Sequence, residues 1–484
     1  MRLLFFLLLL FATGCASVAQ DFSALYEAHP EYRDPRVSDR RFKHSDIREA
    51  LQQLPPAYHQ QQLGVSIEGR SIHLVRIGQG DIPVLLWSQM HGDEPTATMA
   101  MLDLFRFFAA SDAFDELRQT ILDACTLYFI PLLNPDGAER FQRRNGLGVD
   151  LNRDALRLQS PESRILKQVR DSINAAWGFN LHDQSRYYSA GAGNPYTAAI
   201  SFLAPAYNVE KSVNEKRADA MQLIGYMNEI LQDYIPNQVG KYDDTFEPRA
   251  FGDNIQKWGT RTILIETGGL KDDLEKQELR RLNFLILLRA FHGIATESYE
   301  AVSRNVYEQI PFNDYNAFHD LIIRNGRVLL DGQHYIMDIA FRRDEVEYDN
   351  HRRFYPRGRI ADQGDLSTTF GYTELDASGM EVLVGRTWPA SLPTVNTAQQ
   401  TDLWTRVLQG YLYFPVAQRL PKDSRFHQLP VQLLGPGDRA RKAIQPGSNP
   451  ALLLKKDGQL QYLVVNGQLF DVRNGQSAFQ AYRK

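Results

Sequence analysis

Four short polar segments each follow a run of apolar residues that predicts a buried strand. They are 91–94 (HGDE), 134–137 (NPDG) with the downstream stretch 143–153, 180–182 (NLH) and 265–267 (IET). Together they carry histidines, carboxylates and arginines, which are the side chains that bind metal ions, move protons and bind anions. The sequence therefore predicts a catalytic site assembled from strand ends that lie far apart along the chain.

His91, Glu94 and His182 are the candidate metal ligands. Two imidazoles and one carboxylate form a catalytic zinc site and leave a fourth position open for water. A histidine and a glutamate three positions apart can converge on one ion, and the third ligand must then come from another strand end. A lone pair at this spacing is more often solvated or a helix cap, so the interpretation depends on the other segments.

Glu266 follows the apolar run 262–265, which predicts a buried strand. A carboxylate in that position is costly unless it is paired or functional. One interpretation is a structural salt bridge to an arginine of the site. The other is a general base that takes a proton from the attacking water and later delivers it to the leaving amine.

Arg143 and Arg153 lie in the same stretch as Asp150 and Asn152. One arginine at a strand end can stabilise an oxyanion, and the other, with an amide beside it, can hold a carboxylate in a bidentate manner. Ordinary surface charge explains either arginine alone, because the run 142–145 (QRRN) is polar.

Apolar runs alternate with helical patterns from about residue 60 to 300. The predicted strands are 82–90, 126–133, 177–183 and 260–269, and the predicted helices are 95–110, 161–176, 214–234 and a segment that ends near 299. This alternation predicts an α/β fold with a mixed, mostly parallel sheet and helices on both faces. In such folds the functional site lies at the carboxyl ends of the strands.

The chain beyond residue 300 predicts a β-rich accessory region, 301–484. Asn-Gly and Asp-Gly pairs lie in or beside runs of β-forming residues, and the stretches 321–341 and 452–472 each predict two successive hairpins with tight turns. The segment 387–400 is a candidate boundary between two parts of this region.

The composition excludes several classes of protein. The chain has 484 residues, 43% of them hydrophobic and 11% aromatic, which is enough to build a sizeable core. Its net charge of −4 argues against a dedicated nucleic-acid binder. Two cysteines exclude both a disulfide framework and a zinc site built on several cysteines.

Residues 1–19 have the pattern of an export signal. Arg2 precedes a continuous apolar run of ten residues, too short to span a bilayer but typical of a secretory signal. Cleavage before Gln20 fits the small residues at 17–19. The alternative is lipidation of Cys15, which follows a lipobox-like run, and a lipid there would anchor the protein to a membrane. Both readings predict a periplasmic or secreted protein, with 20–59 as an N-terminal extension.

Taken together, the four segments resemble the zinc metallocarboxypeptidases of the carboxypeptidase A type. The resemblance covers about residues 60–300, the expected catalytic domain, with all four segments in the family's order. The runs NPDGAERFQRRNGLGVDLNRDA, FNLHDQ and YDDTFEPRAFGDN are similar to a secreted bacterial branch that carries a C-terminal extension.

The resemblance implies a role for each matched position. His91, Glu94 and His182 match the ligands of one zinc ion, and Glu266 matches the general base. Arg143 matches the arginine that polarises the scissile carbonyl, and Asp150 matches the carboxylate that orients the first zinc histidine. Asn152 and Arg153 match the pair that holds the substrate's terminal carboxylate.

The sequence also departs from the best-known digestive members. Asp93 stands where those enzymes have an arginine, so one substrate contact is absent. Tyr242 is a candidate for their mobile, substrate-capping tyrosine. The segment that lines the side-chain pocket leaves specificity open, because Asp253 favours a basic residue, Arg249 an acidic one and Phe251 an apolar one.

The leading hypothesis is a zinc carboxypeptidase whose partner is a peptide with a free C-terminal carboxylate. The alternative is a related zinc amidohydrolase or deacylase that acts on N-acyl amino acids or cell-wall peptide fragments. A non-catalytic binding protein on a degenerate hydrolase scaffold is the third hypothesis, and the intact set of matched positions argues against it.

Overall fold

The computed structural model describes residues 22–330, 332–400, 402–420 and 430–475, and helices and strands alternate through residues 22–310. The helices are α1 Phe22–Tyr32, α2 His44–Gln52, α3 Thr96–Ala109, α4 Asp115–Ala124, α5 Pro135–Arg140, α6 Pro161–Ile173, α7 Glu215–Tyr234, α8 Phe251–Lys257, α9 Gln277–Thr296 and α10 Arg304–Glu308. The strands are β1 His59–Val65, β2 Ser71–Ile77, β3 Ile82–Ser88, β4 Cys125–Ile130, β5 Trp177–Asp183, β6 Ile200–Leu203, β7 Val239–Lys241 and β8 Arg261–Thr267.

The first sheet has the strand order β1-β2-β4-β3-β5-β8-β6-β7 among the described residues. Its centre, β4-β3-β5-β8, is parallel, whereas β1, β2 and β6 pair antiparallel to their neighbours. The predicted mixed, mostly parallel sheet is confirmed. The carboxyl ends of β3, β5 and β8 therefore meet at one edge.

Two apolar cores lie on opposite faces of this sheet. On β3, Leu86 packs into one core and its neighbours Leu85 and Trp87 pack into the other, as the period of two in a strand requires. Helices α1, α2, α3, α4, α7 and α9 contribute to the first core, and α6 and α8 contribute to the second. The prediction of helices on both faces is confirmed.

The segment before β1 packs into the first core. Phe22 and Leu25 of α1 lie in that core with residues of α3 and α9. At its centre, the carboxylate of buried Asp103 on α3 accepts hydrogen bonds from Arg280 on α9 at 2.6 Å and from the backbone N–H of Asp34 at 2.8 Å, and it lies 2.9 Å from His29 Nε2. These bonds join the N-terminal segment to two helices of the α/β core.

The described chain beyond residue 310 is β-rich, as predicted for 301–484. Its elements are β9 Phe318–Leu330, β10 Gln333–Tyr348, β11 Arg353–Gly364, β12 Phe370–Asp376, β13 Met380–Val384, β14 Arg386–Thr387, α11 Val395–Gln400, α12 Leu403–Leu408, β15 Tyr411–Pro415, β16 Gln432–Leu434, β17 Leu452–Lys456, β18 Gln459–Val465 and β19 Gln468–Asp471. A large sheet has the order β11-β10-β9-β13-β17-β18-β19, with β12 paired to β9, and a small one has the order β14-β15-β16.

The two hairpins predicted in 452–472 are present. Asp457 and Gly458 make the turn between β17 and β18, and Asn466 and Gly467 make the turn between β18 and β19. All four residues have positive φ, which is the requirement of a two-residue hairpin turn of type I′.

The prediction of two hairpins in 321–341 is wrong, because Asn325-Gly326 does not reverse the chain. Strand β9 runs through this pair and turns only after Leu330, where Asp331 lies outside the described residues. Asn325 has a φ of 56° and lies where the β9–β10 register shifts. A bulge and a tight turn both use positive φ, so the dipeptide alone does not distinguish them.

Across the described ranges, no helix has the length and apolar character needed to cross a membrane. The predicted export signal, 1–19, with Cys15 and the cleavage position at Gln20, lies outside those ranges.

Candidate metal centre

Three of the predicted residues converge at the carboxyl edge of the first sheet. His91 Nδ1 lies 2.8 Å from Glu94 Oε1, and His182 Nδ1 lies 2.6 Å from Glu94 Oε2. The two Nδ1 atoms are 3.1 Å apart. All three side chains are buried, and each presents one ligand atom to a common point. This is the only group of three or more such side chains that the described part of the chain brings together with this geometry.

The loop between β3 and α3 places His91 and Glu94 side by side. Its backbone turns sharply at Gln89, whose φ is 47°, and the N–H of Glu94 donates to the carbonyl of His91 at 3.2 Å. Gly92 is required here, because a Cβ atom at that position would lie 2.0 Å from the backbone of Gly137. The short loop therefore carries two ligands on adjacent sides of one turn.

Asn134 holds this loop against the next one and was not singled out by sequence reasoning. It is fully buried, and its Nδ2 donates to the carbonyl of Met90 at 3.1 Å and to that of Arg143 at 3.4 Å. Its Oδ1 caps α5 by accepting from the N–H of Gly137 at 2.9 Å. The run NPDG carries the signal for this role, since Asn before Pro is a favourable start of a short helix.

His182 and Glu266 are direct neighbours across the sheet. They lie opposite each other in the parallel register of β5 and β8. Burial raises the pKa of Glu266 well above its ordinary value, and the nearby carboxylate of Glu94 raises it further. The predicted base therefore lies beside the ligand group, at the end of the strand where the sequence placed it.

The donor set fits a divalent metal ion. The two Nδ1 atoms face each other across a carboxylate, and a cation between them would be bound by three lone pairs. Although burial raises the pKa of Glu94, the two imidazoles hold it below the ordinary value. Burial opposes the charged form of His91 as well, but Glu94 and Asp150 raise its pKa to about 9. His182 Nε2 is buried without a hydrogen-bond partner.

Asp150 and Arg143 surround His91 from the solvent side. Asp150 Oδ1 lies 3.1 Å from His91 Nε2, and its Oδ2 accepts a hydrogen bond from Arg143 Nε at 3.0 Å. Arg143 Nη1 in turn lies 3.0 Å from His91 Nδ1 and 3.4 Å from Glu94 Oε1. Arg143 is 43% exposed, so its guanidinium reaches the ligand group while staying open to solvent.

Asn152 and Arg153 lie on the short 3-10 helix Leu151–Arg153, next to Asp150. Asn152 Oδ1 accepts a hydrogen bond from the backbone N–H of Phe251 at 2.9 Å, which leaves its amide N–H₂ group without a protein partner in the described structure. Arg153 is 39% exposed, with Nε 3.5 Å from Glu247 Oε2. The pair is accessible to an anion.

The segment expected to line the side-chain pocket has mixed environments. Arg249 is exposed and is paired with Glu247, whereas Phe251 is fully buried at the start of α8. Asp253 is buried, its Oδ1 accepts from the N–H of Glu247 at 3.0 Å, and burial raises its pKa to about 6.

Three tyrosines interact electrostatically with Glu266. Burial, followed by the charge of Glu266, raises the pKa of Tyr242, the tyrosine singled out from sequence. Tyr188 and Tyr315 also have pKa values raised by burial and by Glu266, and their rings meet edge to face at 4.7 Å. Sequence reasoning missed both, and Tyr315 lies beyond residue 300, where no catalytic residue was expected.

Comparison with known proteins identifies this arrangement. Residues 44–262 match the family model described as zinc carboxypeptidase. This stretch is therefore similar to zinc carboxypeptidases, and we call it the carboxypeptidase domain. The matched stretch includes all three ligands and ends before Glu266, so the general-base assignment rests on the strand register and on the resemblance of residues 260–269.

Individual relatives cover parts of this carboxypeptidase domain. Carboxypeptidase SOL1 of Arabidopsis thaliana is 32% identical over 176 residues, which cover 30% of this chain and 35% of that protein. Carboxypeptidase M of Mus musculus is 28% identical over 203 residues, which cover 36% of this chain and 46% of that protein. The chain thus spans less than half the length of either relative.

Among solved structures, a metallo-carboxypeptidase from Burkholderia cenocepacia aligns with a TM-score of 0.43 and 19% identity, covering 53% of this chain and 69% of that one.

Zinc is the metal of the family that the carboxypeptidase domain matches, and the two imidazoles and one carboxylate are the ligands that catalytic zinc uses.

Proposed function

We propose that the protein is a zinc-dependent carboxypeptidase that hydrolyses the C-terminal peptide bond of peptides. The observation that carries the proposal is the position of Glu266 beside the ligand group of His91, Glu94 and His182, on the strand adjacent to that of His182. A base next to a metal site with three protein ligands is the arrangement that metal-assisted hydrolysis needs.

Zinc held by His91, Glu94 and His182 supplies a Lewis acid that activates water and polarises a carbonyl group. Glu266 takes the proton from the attacking water and delivers it to the leaving amine. Burial and the neighbouring carboxylate of Glu94 raise its pKa above the ordinary value, and a higher pKa makes the carboxylate a better proton acceptor.

Arg143 stabilises the negative charge that develops on the scissile carbonyl oxygen. Its guanidinium already lies within 3.4 Å of Glu94 and is held by Asp150, so it is oriented before substrate binds. A donor oriented in advance stabilises the developing charge without having to reorganise during the reaction.

Asn152 and Arg153 bind the terminal carboxylate of the peptide. The free amide N–H₂ group of Asn152 and the exposed guanidinium of Arg153 are both donors, and a substrate carboxylate would compete with Glu247 for Arg153. Fixing the chain terminus next to the metal makes the enzyme an exopeptidase, because only the last peptide bond then reaches Glu266.

We further propose that the protein acts outside the cytoplasm, from the signal-like pattern of residues 1–19. Mass determination of the mature N-terminus tests this. A chain that begins at Gln20 indicates ordinary cleavage, a lipidated Cys15 indicates a membrane anchor, and an intact Met1 on a chain recovered from the cytoplasm contradicts export.

The decisive experiment is hydrolysis of a mixed library of short peptides, with and without a zinc chelator. We expect release of single C-terminal residues, lost on chelation and restored by zinc. The same assay identifies the preferred C-terminal residue. Cleavage of N-acyl amino acids or cell-wall fragments, with no peptide cleaved, would replace the proposal with the amidohydrolase alternative.

A further inference from the structure

A cavity of about 740 Å³ lies in the β-rich region. One wall is strand β11, at the edge of the large sheet, and the other includes strand β16, at the edge of the small sheet. The described residues that line the cavity all lie beyond residue 345, so none of them belongs to the metal centre. The volume is in the range of pockets that hold small ligands.

The loop that follows β16 joins the two walls. The backbone N–H of Gly447 donates to the carbonyl of Ile360 on β11 at 2.9 Å, and the N–H of Ile360 donates to the carbonyl of Ser448 at 2.7 Å. From β16, Gln432 Nε2 donates to the carbonyl of Asn449 at 3.0 Å. The same loop is therefore bonded to both edge strands.

Four arginines line this cavity. Arg357 and Arg359 lie on the same face of β11 as the buried Tyr355, because alternate residues of a strand share a face. Arg439 and Arg441 come from the loop on the other side. The cavity thus has a buried aromatic residue in its wall and guanidinium groups from two separate parts of the chain.

Two carboxylates compensate part of this charge. Asp438 lines the cavity as well, and its Oδ2 accepts a hydrogen bond from the backbone N–H of Gly435 at 3.0 Å. Arg359 Nε pairs with Asp344 Oδ2 at 2.7 Å. Four guanidinium groups against two carboxylates leave the cavity with an excess of positive charge.

The other acidic residues of this part of β10 face away from the cavity. Glu345 and Glu347 alternate with Val346, which lines the cavity, so their side chains lie on the opposite face of the sheet. There they pair with Arg41 at 2.6 Å and 2.8 Å. They therefore do not neutralise the arginines of the cavity.

Three of the four arginines, Arg357, Arg439 and Arg441, are exposed and form no ion pair with any described residue. By contrast, Arg324 and Arg327 of the same large sheet each pair with a carboxylate. Like charges gathered around one cavity repel one another, and an anion bound between them would relieve this repulsion.

The donor type and the shape of the cavity restrict the ligand. A guanidinium group binds phosphate or carboxylate through two parallel hydrogen bonds, and three free groups can hold more than one such anion. A concave pocket of this size encloses a small molecule better than it fits a flat membrane. The net charge of −4 argues against a nucleic acid.

We propose that this cavity binds a small organic anion with two or more phosphate or carboxylate groups, held by Arg357, Arg439 and Arg441. The site is independent of the proposed carboxypeptidase function. Arg359 adds positive charge while it stays paired with Asp344, and Tyr355 supplies apolar surface for the carbon skeleton of the ligand.

The test is calorimetric titration of the zinc-loaded protein with fructose 1,6-bisphosphate and with propane-1,2,3-tricarboxylate. Inorganic phosphate and acetate are the probes with a single anionic group. We expect at least one of the two larger anions to bind about tenfold more tightly than its single-group counterpart, and added salt to weaken that binding. The anion with the lower Kd identifies phosphate or carboxylate as the preferred group.

Variants then locate the binding. R439A and R441A should each raise Kd about tenfold, the effect of one charged hydrogen bond. R304A is the matched control, because Arg304 is exposed on α10 and does not line the cavity. R153A removes the proposed carboxylate contact at the metal centre. Both should bind the anion as the wild type does, and thermal melting confirms that every variant is folded.

Three results would overturn the inference. The first is an equal Kd in the wild type, R439A and R441A. The second is loss of binding in R153A, which would place the anion at the metal centre. The third is no binding of either larger anion at millimolar concentration, including the case in which the protein binds only vesicles that contain phosphatidylglycerol, because the arginines would then serve a membrane surface.

Discussion

Asp150 Oδ1 lies 3.1 Å from His91 Nε2. A carboxylate can only accept a hydrogen bond here, so Nε2 carries a ring proton and Nδ1 is the atom that offers its lone pair to a metal. That lone pair faces Glu94 and His182, the other two candidate ligands. Although burial alone would raise it, the pKa of Asp150 is held below its ordinary value by the bond to His91. One carboxylate thus sets the tautomer of a metal ligand.

This contact predicts that Asp150 tunes metal affinity. We expect Asp150→Ala to bind zinc about 10- to 100-fold more weakly, the usual cost of losing a carboxylate that orients a ligating histidine. Competition with a chelator of known affinity measures the change. Asp123→Ala is the control, because Asp123 is on α4, away from the site. Equal zinc affinity in the two variants would contradict the orienting role.

Glu266→Gln should separate binding from turnover. The amide keeps the shape of the side chain but cannot take a proton, so we expect kcat to fall by about 10²- to 10⁴-fold while one zinc per chain is retained. Glu116→Gln, on the exposed face of α4, should behave as wild type. Turnover near the wild-type rate in Glu266→Gln would show that another group moves the proton.

Arg143 and its neighbour Arg144 provide an internal comparison. Arg143 contacts Glu94 and Asp150, whereas Arg144 donates to the carbonyl of Gly148 away from the ligands. We expect Arg143→Ala to lower kcat by about 10²- to 10³-fold, as the loss of an oxyanion donor does. Arg144→Ala should change kcat by less than about twofold. Steady-state kinetics at saturating zinc measures kcat for both variants. Equal losses of kcat would contradict the oxyanion role of Arg143.

Metal removal should destabilise the fold as well as abolish activity. Without a cation, the charge of Glu94 disfavours a charged Glu266, and zinc at 100 times its Kd contributes about 2.7 kcal/mol to the folded state. We expect a chelator to lower Tm by roughly 2–4 °C for each kcal/mol lost. His91→Ala lacks one ligand, so the chelator should lower its Tm much less than that of the wild type. An identical Tm shift in the two proteins would show that the chelator does not act at this site.

The sequence predicted the strand ends because the chemistry there is local. Apolar runs fix the strands, parallel pairing brings their carboxyl ends together, and His182 and Glu266 each lie in the last residues of such a run. The roles of Arg143 and Asn152 came from the resemblance, since loop residues carry no periodicity that reports their direction. The convergence of His91, Glu94 and His182 was therefore predictable from strand ends and donor types, whereas the individual roles of the other loop residues were assigned by analogy.

Contacts made across long sequence distances were not predictable from local patterns. Tyr315 approaches Glu266 only because the chain returns after α10, and Arg41 meets Glu345 across more than 300 residues. For the same reason, the sequence predicted a hairpin turn at Asn325 where the structure has a bulge. The two differ only in where the partner strand lies, which the local sequence does not report. Periodicity reports which face of an element is buried, but not what covers it.

The buried pair Asp103–Arg280 gives the sharpest test of how the N-terminal segment is held. Both side chains are fully buried, and Asp103 also binds His29 and the backbone of Asp34. Asp103→Ala leaves the guanidinium of Arg280 buried without its partner, so we expect the free energy of unfolding to fall by about 3–5 kcal/mol. Urea denaturation of the zinc-loaded protein measures the loss.

The control for this measurement is Asp171→Ala. Asp171 pairs with Lys167 on the surface of α6 and is 45% exposed, so its removal should cost less than about 1 kcal/mol. Similar midpoints for the two variants would mean that residues 22–43 detach from the carboxypeptidase domain before it unfolds. A large loss confined to Asp103→Ala would show that the segment before β1 unfolds together with the domain, because the network at Asp103 joins α1, α3 and α9.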